Sequence, residues 1–174
     1  MSLKKTVIGV LATTSILVAS ILLPTSASAQ ADSKVAKAME LLKSSADGLG
    51  AAKVEGTDVA GDKTVPALFF GTTKINNNSP LVDGVVKKVG GTATMFVKSG
   101  DEYVRVTTNV KKDDGSRAVG TILDPAGKAI ASIKKNEAFY GEVTILDKPY
   151  VTGYEPIHDA AKNVIGIYYV GYPK

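Results

Sequence analysis

The side chains best suited to chemistry in this chain sit in two short runs. Arg105 alternates with valines in YVRVTTNV, residues 103–110. The two-residue period of a strand puts Tyr103, Arg105 and Thr107 on one face and Val104, Val106, Thr108 and Val110 on the other. A planar guanidinium aimed into a cavity would clamp a carboxylate by two parallel hydrogen bonds. The second run is YVTGYEP, residues 150–156, where Tyr150, Thr152 and Tyr154 share a face. Further tyrosines stand at Tyr140, Tyr168 and Tyr169. Tyrosine joins an apolar body to a hydroxyl, which suits a pocket for a small polar molecule. The candidate ligand-binding residues are therefore Tyr103, Arg105, Thr107, Tyr140, Tyr150, Thr152 and Tyr154. The first strand is expected to face the second across or beside a cavity. The same patterns also fit a solvated outer face for Arg105 and the rim of an ordinary sheet core for the tyrosines.

Other chemistries have less support. The chain has no cysteine, which excludes thiol catalysis, disulfides and thiolate metal sites. His158, followed by Asp159, is its single histidine. A serine nucleophile would need that imidazole within hydrogen-bond reach, and a polar turn between strands is where a histidine is usually just solvated. KKDDGS, residues 111–116, lacks the alternating acids and distal glutamate of a calcium loop and reads as a tight turn. Gly48-Leu49-Gly50 and Gly90-Gly91 are not followed by the Lys-Ser/Thr of a phosphate loop. No metal and no cofactor is expected, and the chain is not expected to be an enzyme, although a carboxylate-only hydrolytic mechanism would leave no such motif.

These residues depend on the elements that carry them. Lys4-Lys5, the uncharged apolar stretch 6–23, Pro24 and Ala27-Ser28-Ala29 read as a signal peptide over residues 1–29, cut before Gln30. The rival reading is an uncleaved N-terminal membrane anchor. The remainder, 30–174, has a length that suits one domain with a real core. Without Lys4 and Lys5 its 19 basic and 17 acidic residues leave a net charge of +2, against +4 for the whole chain. With no basic face interleaved by aromatics, nucleic acid is not an expected partner.

Val35, Met39, Leu42 and Ala46 recur on one face and predict a helix over 32–47, capped by Asp32 or Ser33 and ended by a left-handed Gly48. Residues 50–93 carry no clear period, apart from an apolar cluster at 67–70, a loop at 76–80 and a short helix over 81–89. Strands are predicted at 94–98, 103–110, 140–146, 150–156 and 164–172, with a short helix ending at Ile133. This order is α+β, with an N-terminal helix packed on an antiparallel sheet of five or six strands.

Two long stretches carry a family resemblance. GGTATMFVKSGDEYVRVTTNVKKDDGSRAVGTILD (90–124) and AFYGEVTILDKPYVTGYEPIHDAAKNVIGIYYVG (138–171) resemble the sensor domains of bacterial chemoreceptors. They look like a single Cache domain of the fused Cache-three/Cache-two type. PALFFGTTKINN and LVDGVVKKVGG extend the likeness to roughly residues 64–172. The resemblance implies a PAS-like fold outside the membrane, with a small-molecule pocket on the sheet. It also implies a small metabolite as ligand, for which Arg105 suggests a carboxylate.

The chain ends at Lys174 directly after the last strand, where a receptor would continue into a transmembrane helix. The expected function is thus an exported, periplasmic or secreted binding module that acts through a partner membrane chemoreceptor or sensor kinase. The alternative is an extracytoplasmic structural or interaction protein that keeps the fold without a ligand.

Overall fold

The computed structural model describes residues 27–174. The segment read as a signal therefore lies outside the described residues, except for its last three. Those three begin α1 (Ala27–Asp47). Val35, Met39, Leu42 and Ala46 of this helix, the stripe that their spacing predicts, are each at most 1% exposed, and Ala38 is buried beside them. Asp32 and Ser33 lie inside the helix and do not cap it. The chain leaves α1 through a turn whose left-handed residue is Gly50 (φ 122°), two positions after the predicted Gly48. Among the described residues no helix is long and apolar enough to cross a membrane.

The region without a clear sequence period folds as a small antiparallel sheet, β1 (Ala52–Ala60), β2 (Lys63–Phe70) and β3 (Thr73–Lys74). Most of β1 is exposed and a bulge interrupts its pairing between Val54 and Thr57. Such a strand shows no apolar alternation to read. α2 (Ser79–Val89) follows, with Pro80 in its first turn and Gly90 at its end.

The main sheet holds five strands: β4 (Thr92–Ser99), β5 (Glu102–Thr108), β6 (Phe139–Ile145), β7 (Lys148–His158) and β8 (Val164–Pro173). Its order is β5-β4-β8-β7-β6 and every pair is antiparallel. This is the α+β, PAS-like arrangement that the strand pattern and the family resemblance together predicted.

Both faces of the sheet are covered. α1, α2 and β2 pack on one face, around Leu42, Leu68, Met95, Val97 and Val170. The other face holds Phe96, Tyr103, Tyr150, Tyr154, Ile167 and Tyr169. It is covered by the chain between β5 and β6, which includes α3 (Lys128–Ile133) with Ala129, Ile130 and Ile133 buried.

Leu42 is 0% exposed at the centre of the helix-side core. Leu42→Ala should lower stability by about 2–5 kcal/mol, seen as an earlier urea midpoint with an unchanged slope. A loss below about 1 kcal/mol would mean that α1 is not docked as described.

Candidate ligand pocket

The pocket begins with one buried cation. β5 places Arg105 opposite Phe96 of β4, and the guanidinium carbon stands 5.0 Å from the Phe96 ring centre. Arg105 is only 4% exposed. Its Nη1 donates to Thr121 Oγ1 at 2.5 Å, and its Nε is enclosed without a hydrogen-bond partner. Among the described residues it forms no ion pair. Burial pushes its pKa down, while the phenols of Tyr154, Tyr169 and Tyr150 lie near enough to push it back up. An arginine does not give up its proton in a protein, so this site holds a positive charge that no anion among the described residues pairs with. A buried charge left unpaired costs several kcal/mol; the cation–π contact with Phe96 and the Thr121 hydrogen bond offset part of that.

A cavity of about 430 Å³ opens at this cation. It is lined by Arg105, Tyr154 and Thr121, by the apolar Ile122, Leu123, Ala129, Val143 and Ile145, and by the exposed Asp124 and Lys128. Glu142 also borders it, but pairs along the sheet with Val151 and gives its carboxylate to Lys174 at 2.7 Å. Of these charged residues only Arg105 is buried, beside a few hydroxyls and aliphatic surface. A ligand with one anionic group and a partly apolar body fits that set.

The sequence-selected residues divide into three groups. Arg105 and Tyr154 line the cavity. Tyr150 and Thr152 share their face of the sheet: Tyr150 is 9% exposed, and the Thr152 hydroxyl is already spent on the Gly141 carbonyl at 2.8 Å. Tyr103 also shares that face, but opens onto a separate cleft with Ile133 and Asn136.

Thr107 and Tyr140 lie on the opposite face. In β5, Thr107 pairs with Met95 and Arg105 with the next residue, Phe96, so Val106 is the extra residue of a bulge. A bulge shifts the alternation by one. Thr107 accordingly points to the helix side, where its hydroxyl donates to the Asn78 carbonyl at 2.9 Å. Thr108 turns to the pocket side and meets Thr94 at 2.6 Å. In β6 the pocket phase belongs to Phe139, Val143 and Ile145. Tyr140 is out of step with them, lies over Gly153 beside Val35 of α1, and donates to Glu155 at 2.5 Å.

Sequence reasoning passed over Thr121, Ile122, Leu123 and Ala129. They sit in the irregular crossing between β5 and β6, where no period marks an inward side chain. Val143 and Ile145 did leave a signal, since they alternate within the predicted strand at 140–146. The His158-Asp159 pair does not act together: His158 Nε2 contacts Asn136 Oδ1 at 2.5 Å, and Asp159 accepts from Asn163.

The phenols of Tyr154 and Tyr169, whose rings are 4.9 Å apart, are buried and their pKa values are pushed well above the usual range by loss of solvation. A raised folded-state pKa leaves stability intact below the free-phenol value of about 10 and erodes it as pH rises toward the folded value. Alkaline difference spectroscopy should therefore show these two tyrosines un-ionised above about pH 10 until the protein unfolds. Their titration in the folded protein like free tyrosine would mean that the face is wet.

The strand order and the two covered faces are those of an α+β, PAS-like fold. No curated protein matches the chain. The Cache 3/Cache 2 fusion domain family matches residues 19–174, which extends the likeness read from the sequence through α1 and the small sheet. By that match over nearly its whole length, the chain belongs to the Cache 3/Cache 2 fusion domain family.

Proposed function

We propose that this protein is an exported sensor domain that binds a small carboxylate at Arg105 and passes its occupancy to a membrane receptor or sensor kinase. The observation that carries the reading is the buried guanidinium, which lines a cavity and has no ion pair among the described residues. A carboxylate supplies the missing charge and can take two parallel hydrogen bonds from the fork. Tyr154 is the second contact, with Tyr150 and Thr152 shaping the same face. Family membership supports an extracytoplasmic sensor as the setting. The N-terminal Lys-Lys, apolar and Ala-Ser-Ala pattern supports export with cleavage before Gln30. Mass spectrometry of the protein from its own cells should then find Gln30 at the N-terminus. A membrane-bound form retaining residues 1–29 would replace that reading with the anchor.

The binding claim has a two-sided test. Arg105→Met keeps the apolar stem and removes the charge. The ligand-free protein should gain stability, on the order of 1–3 kcal/mol, because an unpaired buried charge has gone. The same variant should lose the rise in melting temperature that wild type shows with acetate, propionate, succinate or amino acids in a thermal-shift screen. Affinity should fall by about one to two decades, and Arg105→Lys should recover only part of it, since an ammonium cannot reproduce the fork. A methionine variant that still responds fully to the carboxylate found in the screen would reject Arg105 as the anion site.

A further inference from the structure

We infer that Thr121 is a positioning residue that sets the orientation of the Arg105 guanidinium before any ligand arrives. This rests on reading Arg105 as the anion site, and extends it to a residue in the irregular crossing between β5 and β6. The Thr121 hydroxyl has a single hydrogen, and it donates that hydrogen to the Ala118 carbonyl at 2.8 Å. Its oxygen is thereby left to face Arg105 Nη1 purely as an acceptor, at 2.5 Å. A hydroxyl free to rotate would offer donor or acceptor in turn; this one is fixed.

The backbone holds the contact in register. Arg105 N donates to Thr121 O, Gly120 N donates to Arg105 O, and Leu123 N donates to Tyr103 O, each at 2.9 Å. The crossing thus runs along the open edge of β5 as a strand-like wall. Its far side is clamped against the β1–β2 turn. Gly120 has φ 85°, and a Cβ there would stand 2.6 Å from the Ala60 carbonyl oxygen. The wall has little room to move away from Arg105.

Geometry also dictates what this orientation leaves open. Phe96 covers one face of the guanidinium, and Nε is enclosed. A carboxylate must therefore approach end-on, through the two Nη groups, and Thr121 holds one of them. Without that hold the end-on edge would turn within the cavity, and each docking event would first have to order it.

The test reads Arg105 itself. In ¹⁵N-resolved NMR of the purified protein, the Arg105 Nη protons should give separate signals, because the hydrogen bond to Thr121 hinders rotation. Thr121→Val keeps the shape and removes the acceptor. It should merge those signals and weaken acetate binding by about three- to tenfold, the worth of one ordinary hydrogen bond. Thr121→Ser restores the hydroxyl and should restore both readouts. If the valine variant does not fold, Thr121→Ala makes the same comparison. Arg105 signals that stay separate in the folded valine or alanine variant would overturn the proposal. So would merged signals in wild type. If wild type ignores acetate and every other carboxylate while the signals still merge in the valine variant, the positioning role stands and the anion-binding reading falls.

Discussion

The structure depends on a sheet that must be covered on both faces. The central strand β8 buries seven consecutive residues, 165–171, and β4 buries five, 93–97. Successive side chains of a strand point to opposite faces, so runs like these demand an apolar layer on each side. α1, α2 and the small sheet supply one layer with continuous packing. The other layer comes from the crossing between β5 and β6, whose only helix among the described residues is the six-residue α3. So short a helix cannot roof a five-stranded sheet. The cavity lies between this crossing and the sheet, lined by Arg105 of β5, Tyr154 of β7 and Val143 and Ile145 of β6.

A buried Arg105 without an ion pair among the described residues is costly to the fold. The guanidinium has lost nearly all its water and has received one hydroxyl and one ring in exchange. Replacing such a charge with an apolar side chain of similar size tends to stabilise a fold, and sites that are expensive for stability are where function is to be sought. The surrounding tyrosines fit the same economy. Their hydroxyls lie near the cation, and among the described residues no carboxylate pairs with it.

Small departures from regular strand geometry decide which residues share this space. The bulge at Val106 sends Thr107 to the helix side and brings Thr108 to the pocket side. Gly171 of β8 leaves room for the Tyr169 ring: a Cβ there would come within 2.2 Å of the Tyr169 hydroxyl, which instead reaches Thr92 Oγ1 at 2.9 Å. Gly153 does the same on the other face, where the Tyr140 ring and Val35 fill the space of the missing side chain. Each glycine lets an aromatic ring lie flat on the sheet, which closes the core on both sides of β7 and β8.

The apolar stripe of α1, the five main strands and their turns were legible in the sequence because each rests on a local period: 3.6 residues for Val35, Met39 and Leu42, two for the runs at 94–98 and 164–172. Arg105 was legible for the same reason, as a charge out of place in a strand that otherwise alternates with valine. The family likeness was also carried by the chain alone. What no local period encodes was decided by tertiary structure. β1 is solvated along most of its length and left no pattern. The bulge at Val106 is a pairing event between two strands, so it reversed Thr107 without marking the sequence. Tyr140 is out of phase with Val143 and Ile145 in the sequence itself, but only the packed layers show that the pocket lies on their side and not on its own. Thr121, Leu123 and Ala129 line the cavity only because an irregular crossing is laid along the edge of β5 and over the sheet. Periodicity reports which way a side chain points relative to its own element; which elements meet, and what space they leave between them, is settled only when the layers pack.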